Sequence, residues 1–353
     1  MTLADVWTYF AETECGDYSR LYRRISHVVA ANDDVLDLVR TAPRRAHQPT
    51  VLLGAVHFLV LGGLDHPLAA VYAGSSDADA DADVGPLFVD LCLTYRDEIL
   101  ALLATRHTNT NEVGRSAVIG PALTTVALRL GPRLGLVDVG CSAGLNLLCD
   151  RYLLDYGTAG RTGPADATVR IACEVIGGGV PVASTLPEIG SRVGLDRDPI
   201  DLNDADEARW LLACIWPDTG RLDRARLALQ GAREHPPRLV RGDAVDDVTA
   251  VTDSLPADVI PVVLTTWALA YLSAERRVEF RARLAAASMA RPIAWVSAEG
   301  PGVVDFFNDI DEPPDIGGAQ ASVLGLVVFR NGVPEPHHLG FVHPHGTWID
   351  WRA

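Results

Sequence analysis

Apolar residues recur at three- and four-residue spacing through the first 130 residues, and this period predicts α-helices. The clearest stretches are residues 6–10, 21–29, 51–61 and 87–103. No strand-like run interrupts them. Residues 1–130 are therefore predicted to form an all-helical region, which we expect to close over a site in the rest of the chain as a cap or lid.

From residue 131 onward, short apolar runs alternate with helical segments, a rhythm typical of an α/β sheet of parallel strands. A hairpin is predicted near the end, because Asn331-Gly332 is a strong turn signal between two apolar runs. The expected fold is a doubly wound, Rossmann-like domain over residues 131–353, with a terminal antiparallel hairpin and an insertion at about 153–191. Strands are predicted at 136–139, 192–196, 238–243, 258–266, 292–299, 323–330 and 338–342, and helices at 204–216, 223–233 and 274–287.

A turn bounded by two glycines follows the first predicted strand; we call residues 140–144 (GCSAG) the glycine turn. Gly140 lets the chain turn sharply, and Gly144 lets a ligand or the crossing backbone approach closely. Apolar residues resume at helical spacing from residue 145, so a helix is predicted there. A dinucleotide fingerprint would have glycine where Ser142 and Leu145 stand, and a P-loop needs a lysine. All 30 basic residues are arginine, so the P-loop is excluded.

Composition narrows the function classes further. The formal charge of −16 and the scattered arginines disfavour a nucleic-acid partner. The absence of lysine excludes Schiff-base and pyridoxal chemistry. No apolar run reaches the roughly 18 residues of a membrane span, and no basic leader follows Met1, so we expect no membrane partner and a cytoplasmic location.

The six cysteines are widely spaced, without a CxxC pair or a metal-binding cadence with histidine, so reduced core thiols and no metal site are expected. Cys141 lies in the glycine turn, but no histidine is near it in sequence, which disfavours a nucleophile. Residues 75–83 are acidic and of low complexity, so a solvated loop between helices is predicted there. A calcium site is not expected, because the turn glycine and terminal glutamate of an EF-hand loop are missing.

A polar cluster, residues 108–116, opens the predicted helix that runs towards residue 130. One interpretation is capping, with Asn109 or Thr110 at the N-cap and Glu112 in the first turn. In the other, Glu112 and Arg115 share a helix face at i, i+3 and present paired charges over a ligand pocket. The capping interpretation leaves them as a solvent-exposed pair.

Acids end several of the predicted strands. Asp196, Asp243 and Glu299 stand where ligands bind in doubly wound folds, outside the carboxyl ends of the strands. The usual gap between a glycine turn and a ribose-binding acid is roughly 20 residues, whereas Gly140 and Asp196 are 56 apart (196 − 140). Asp196 therefore requires the insertion, and Glu174 is the competing acid.

A strand that carries an acid, Asp138, just before a turn of small residues resembles motif I of class I methyltransferases, which use S-adenosyl-L-methionine (AdoMet). With Asp196, the Gly-Asp-Ala sequence at 242–244 and the hairpin, this resemblance covers residues 131–353. A sulfonium cofactor brings a positive charge and no phosphate, so a nearby carboxylate is compatible with it. Over the whole chain, five motifs resemble the largely actinobacterial family known as domain of unknown function 2332: TNEVGRS (110–116), GLDRDP (194–199), RGDAVDD (241–247), SAEGP (297–301) and PHGTW (344–348).

The resemblance implies AdoMet as cofactor. Gly140, Ser142 and Gly144 would hold its amino-acid end, Asp196 the ribose, and Asp243 with Ala244 the adenine. The complete set of expected cofactor-binding residues is Asp138, Gly140, Ser142, Ala143, Gly144, Asn146, Asp196, Asp243, Ala244 and Thr266.

The leading hypothesis is a small-molecule methyltransferase. Glu112, Glu299 and Arg115 are the expected catalytic residues, which would orient or deprotonate the substrate. Asn111, Trp267 and Tyr271 are expected to bind it. His343 and His345 rank lower as bases, because a hairpin strand returning from the cofactor edge would leave them at the far end of the sheet.

Two alternatives stay open. The first is an AdoMet enzyme of non-methyl chemistry, either aminocarboxypropyl transfer or cyclisation. The second is a catalytically silent AdoMet-binding protein. The released by-product would separate them, because S-adenosylhomocysteine indicates methyl transfer and methylthioadenosine indicates the other chemistry.

Overall fold

A computed structural model describes residues 1–16, 18–74, 84–314, 316 and 321–353. The chain divides into two compact units: a helical unit, made of residues 1–110 and 202–226, and a sheet unit, made of residues 111–201 and 227–353. The helical unit thus ends before the predicted division at residue 130 and includes a later segment. The acidic stretch 75–83 lies outside the described residues.

The helical unit confirms the predicted helical N-terminal region. The predicted helix at 87–103 is two helices, because the chain leaves helical geometry at Tyr95 (φ −107°, ψ 37°). In the described ranges, no helix is both long and apolar enough to cross a membrane. The α-helices of the N-terminal part of the helical unit are α1 (Leu3–Tyr9), which a π-helical turn (Phe10–Cys15) follows, α2 (Arg20–Ala30), α3 (Asp33–Thr41), α4 (Pro49–Leu61), α5 (Leu68–Tyr72), α6 (Val84–Thr94) and α7 (Arg96–Thr105).

One core unites the helical unit. The apolar side of α2 packs into this core. Helix α4 is apolar on all sides, and almost every one of its residues before the last turn is buried. The helix predicted at 204–216 is α9 (Ala205–Ala213); Asp204 caps it, and Trp210 packs into the same core. A Cβ at Gly54 would lie 3.4 Å from the Trp210 ring, so glycine there lets the two helices pack closely.

Nine strands of the sheet unit form one large sheet: β1 (Arg133–Val139), β5 (Glu174–Val175), β6 (Glu188–Asp196), β7 (Arg238–Arg241), β8 (Ile260–Thr266), β9 (Ile293–Glu299), β10 (Ser322–Arg330), β11 (Val333–Val342) and β12 (Trp348–Trp351). Their order is β5-β12-β11-β10-β9-β8-β1-β6-β7. Five strands, β7-β6-β1-β8-β9, run parallel, so their carboxyl ends share one edge, which we call the carboxyl edge. After β1 the chain adds β6 and β7 on one side of it and then β8 and β9 on the other, so the strand order reverses between β1 and β8.

The terminal hairpin is confirmed: β10 and β11 are antiparallel and join at Asn331 (φ 51°) and Gly332 (φ 79°), the left-handed pair that such a turn favours. β10 starts at the carboxyl edge, because Val323 pairs with Glu299. β11 returns to that edge, because Val342 pairs with Ser322. The prediction that the residues after β11 lie at the far end of the sheet is therefore wrong.

The predicted insertion region forms a small sheet of its own, with β2 (Leu153–Asp155) between β3 (Arg161–Thr162) and β4 (Arg170–Ala172). Glu174, the competing ribose acid, lies in β5 at the outer edge of the large sheet, beside β12. Asp196 ends β6, which pairs directly with β1. The topology therefore leaves Glu174 away from the glycine turn.

Helices pack around the large sheet, and two predicted helix starts are wrong. A 3-10 turn (Val113–Arg115) comes first and α8 (Ser116–Leu130) follows; the Glu112 side chain accepts from Gly114 N, so the cap is neither Asn109 nor Thr110. After the glycine turn, the chain forms a 3-10 segment (Leu145–Arg151) instead of an α-helix. The other helices are α10 (Leu222–Glu234), which spans the division between the units, α11 (Val248–Asp253) and α12 (Ala274–Ala287).

Candidate functional site

The glycine turn has a strained backbone that three residues accommodate: Gly140 (φ 74°), Ser142 (φ 52°) and Gly144 (φ 72°). A Cβ at Gly144 would come within 2.9 Å of the Leu239 and Pro237 side chains. Gly144 therefore makes room for protein side chains that pack against the turn. The expectation that its missing side chain leaves space for a ligand is not supported.

Backbone donors of the glycine turn already bind protein acceptors. Ser142 N donates to Asp196 Oδ2 at 2.8 Å, and Leu145 N donates to Asn111 Oδ1 at 2.9 Å. A phosphate site at a helix start needs free N–H groups and a helix dipole, and here a 3-10 segment follows the turn. The turn is therefore poorly suited to an anion.

The polar motif at 110–116 holds this turn in place. Asn111, expected to bind substrate, fixes the turn through its amide oxygen. Ser116 Oγ donates to Asn146 Oδ1 at 3.1 Å, and all of these side chains are buried. The motif is thus part of the architecture of the site.

Asp138 lies in β1 just before the glycine turn and is 2% exposed. Burial raises its pKa to about 7; the Arg115 charge opposes this shift, and the Asp196 charge adds to it. Within the part of the chain that the structure describes, no hydrogen bond contributes to this change in pKa. Asp138 is therefore an acid that can exchange a proton near neutral pH.

Asp243 follows β7 at the same edge and is tied down by two arginines. Its Oδ1 accepts from Arg276 Nη2 at 2.6 Å, and its Oδ2 from Arg197 Nη2 at 3.0 Å. Burial alone would raise its pKa, but hydrogen bonds from Val245 N, Arg197 and Asp246 N outweigh it and lower the pKa to about 2. Asp243 is an ionised acid already engaged with protein donors, and Ala244 follows it directly.

Glu299 ends β9 and is 1% exposed. Its Oε1 accepts from Ala268 N at 3.0 Å and Leu269 N at 3.1 Å. Among the described residues, its buried Oε2 has no hydrogen-bond partner, and the same is true of Ser142 Oγ. Burial raises the pKa of Glu299, against the effect of these N–H groups and of Arg115. A buried oxygen without a protein donor suits a ligand.

Arg115 links two of the segments that meet here. Its Nε donates to Pro344 O at 2.9 Å and its Nη1 to Thr266 O at 2.8 Å, so it joins the end of β8 to the turn after β11. Burial lowers its pKa, and four nearby groups oppose this shift: Glu112, Glu299, Tyr271 and Asp138. The interpretation of Glu112 and Arg115 as a solvent-exposed pair is wrong, because both are buried.

The turn after β11, residues 343–346, also lies in the site; we call it the histidine turn. His345 Nδ1 is 3.9 Å from Glu112 Oε2, and Gly114 N donates to Glu112 Oε1 at 2.8 Å. His345 N donates to His343 Nδ1 at 3.0 Å. The prediction that both histidines lie at the far end of the sheet is wrong, because β10 pairs antiparallel with the strand that ends at Glu299 and β11 then returns to the carboxyl edge.

Three further predicted residues surround the end of β8. Thr266 is buried and offers its carbonyl to Arg115. Trp267 has φ 57°, and its Nε1 donates to Ser322 Oγ at 2.8 Å, which anchors the indole. Tyr271 is 85% exposed, so of the three it is the one with a side chain open to solvent.

Cysteine and metal chemistry gain no support. Cys141 is buried, and burial raises the pKa of its thiol well above the usual value, with Asp138 and Asp196 adding to the shift. A thiol that stays protonated is a poor nucleophile. Within the described ranges, no group of three or more histidine, cysteine, aspartate or glutamate side chains is arranged to hold a metal ion.

The carboxyl edge thus brings together the glycine turn, the strand-end acids, the 111–116 segment and the histidine turn. A comparison with curated proteins gives no match. The profile of a family described as "Uncharacterized protein conserved in bacteria" matches residues 4–351. The chain therefore belongs to this bacterial family, domain of unknown function 2332.

Proposed function

We propose that this protein is an AdoMet-dependent methyltransferase acting on a small molecule. The observation that carries the proposal is the group of carboxylates around the glycine turn, namely Asp138, Asp196 and Glu299. These acids would attract the positively charged sulfonium group. They would repel a phosphate group. The N–H groups of Ser142 and Leu145 would not offset this repulsion, because they already donate to protein acceptors.

The strand order supports the same proposal. Numbered along the chain, the five parallel strands follow the order 3-2-1-4-5. In doubly wound, Rossmann-like sheets, ligands bind outside the carboxyl ends at the point where the order reverses. That point is between β1 and β8, where the glycine turn and Thr266 lie.

The donor set fits AdoMet with one departure. In the glycine turn, Ser142 Oγ, which has no hydrogen-bond partner among the described residues, would hold the ammonium group of the amino-acid end together with Asn146. Asp196 would hold the ribose hydroxyls. Asp243 is engaged by two arginines, so we propose that it shapes the adenine end through them while Ala244 lies against the base.

AdoMet, when bound, supplies an electrophilic methyl group. The protein would supply position and a dry environment, because Glu299 and Arg115 are both buried. Exposed Tyr271 is available to the acceptor, while Trp267 is anchored. Closure of the helical region over this site stays a prediction.

The test is to incubate the protein with AdoMet and a panel of small acceptors and to identify the by-product by mass spectrometry. S-adenosylhomocysteine would support methyl transfer. Methylthioadenosine would instead support aminocarboxypropyl transfer or cyclisation. If the protein releases neither compound with any acceptor of the panel, it is a silent binder.

A matched pair of variants links the by-product to the site. Glu299→Gln should lower its formation about tenfold or more, the effect of losing one charge-assisted interaction. Glu335→Gln is the control, because Glu335 lies on β11 with a 45% exposed side chain that pairs with Arg330. Equal activity of the two variants would remove Glu299 from the proposal.

A further inference from the structure

The histidine turn packs directly against the turn formed by residues 112–115. At Gly346 (φ 72°), a Cβ would lie 2.1 Å from Gly114 O, a distance that no side chain can occupy. Arg115 Nε donates to Pro344 O across the same contact. The relative position of the two turns is therefore fixed by a backbone contact and by a hydrogen bond from the Arg115 side chain.

This contact places an imidazole beside a buried carboxylate. His345 Nδ1 is 3.9 Å from Glu112 Oε2, and the Glu112 side chain is 6% exposed while that of His345 is 29% exposed. Glu112 is held by Gly114 N, and the main chain of His345 is held by His343 Nδ1. The carboxylate thus faces one side of an imidazole that stays partly accessible.

We propose that His345, paired with Glu112, is the general base that takes a proton from the acceptor. The proposal rests on the proposed methyl transfer. A carboxylate 3.9 Å from an imidazole nitrogen stabilises the imidazolium that forms when the ring accepts a proton.

The proposal defines the acceptor as an N–H, O–H or S–H nucleophile. Its lone pair forms the new bond to the methyl carbon while the carbon–sulfur bond breaks and its electron pair stays on sulfur. The proton moves to the His345 ring nitrogen that faces away from Glu112. A nucleophile without an ionisable proton would not need this base.

The ionisable groups around the ring come from both turns. Glu112 favours the charged imidazolium, while Arg115 and the neighbouring His343 disfavour it when they are charged. Because the Glu112 carboxylate is buried and faces the ring, we infer that its effect is the largest.

The first test is an NMR titration of the His345 imidazole in the whole protein, assigned by comparison with His345→Gln. In Glu112→Gln, the midpoint should fall by about one pH unit, because the carboxylate that stabilises the imidazolium is lost. An unchanged midpoint would overturn the pairing, whether or not the protein binds AdoMet.

The second test measures AdoMet affinity and by-product formation with small amines, phenols and thiols. His345→Gln should keep the AdoMet dissociation constant within about twofold and lower turnover by about 100-fold or more. His337→Gln is the control, because His337 lies earlier in β11 and contacts Arg129.

The outcomes separate the two proposals. Loss of AdoMet binding in the wild-type protein would refute the methyltransferase but not the pairing. Normal turnover in His345→Gln would refute the base and leave the methyltransferase standing. If the wild-type protein binds AdoMet but turns over none of the amines, phenols and thiols, the assignment of His345 as a base for such acceptors is overturned, and an unchanged NMR midpoint would overturn the pairing as well.

Discussion

Arg115→Ala should destabilise the protein by about 4 kcal/mol. The guanidinium makes two hydrogen bonds to carbonyls, one to buried Thr266 O and one to partly buried Pro344 O. Hydrogen bonds from a charged donor contribute about 1.5–3 kcal/mol each. The lower value applies to the bond to Pro344 O, because it is only partly buried. Glu299 and Asp138 would also lose the nearby positive charge of Arg115, which opposes the rise in their pKa values that burial causes.

The assay is urea unfolding followed by circular dichroism. Arg283→Ala is the matched control: its guanidinium is 48% exposed and pairs with Glu279 at 3.2 Å. Such i, i+4 surface pairs contribute only about 0.3–0.5 kcal/mol. Arg115→Lys should fall between the two, because an ammonium group lacks the planar fork that reaches two carbonyls.

The refuting result is a loss in Arg115→Ala that matches Arg283→Ala. It would mean that the hydrogen bonds from Arg115 to Thr266 O and Pro344 O do not hold the histidine turn at the end of β8.

Three further predictions concern the same unit. Gly346→Ala should cost more than about 1 kcal/mol because of its left-handed φ and its contact with Gly114 O, whereas Gly178→Ala, which has open space, should be nearly neutral; equal midpoints in thermal unfolding would contradict this. Asp138 ionises at about pH 7 when folded and at 3.8 otherwise, so native stability should fall by about 4 kcal/mol as pH rises between those values. Urea unfolding of Asp138→Asn should lack this fall, and a matching slope would refute it. Folded Cys141 should resist iodoacetamide at about pH 8, and rapid labelling detected by mass spectrometry would show that its thiol is not buried.

Much of the sheet could be predicted because its signals are local. Asp196 and Asp243 stand at the ends of short apolar runs, and Asn331-Gly332 fixes the hairpin through its own backbone preference. A local pattern also predicted a helix from residue 204, where α9 begins at Ala205.

The histidine turn could not be placed this way, because its position depends on the direction in which a later strand pairs. Once β10 pairs antiparallel with β9, the return strand must end at the carboxyl edge. A single sequence carries no local signal for that pairing.

Burial of Glu112 and Arg115 was likewise hidden. Two opposite charges at i, i+3 have the same spacing on an exposed helix and in a buried turn. The contacts that decide the matter come from Pro344 and Thr266, which lie 229 and 151 residues away. The 3-10 segment after the glycine turn was not predicted, because the apolar pattern of residues 145–148 fits either helix type.

Calorimetric titration of the purified protein with AdoMet and, separately, with NAD tests the central claim most directly. The account predicts heat of binding with AdoMet at a 1:1 ratio and none with NAD, since the carboxylates around the glycine turn favour a sulfonium and repel a pyrophosphate. Clear binding of NAD with no heat from millimolar AdoMet would contradict it.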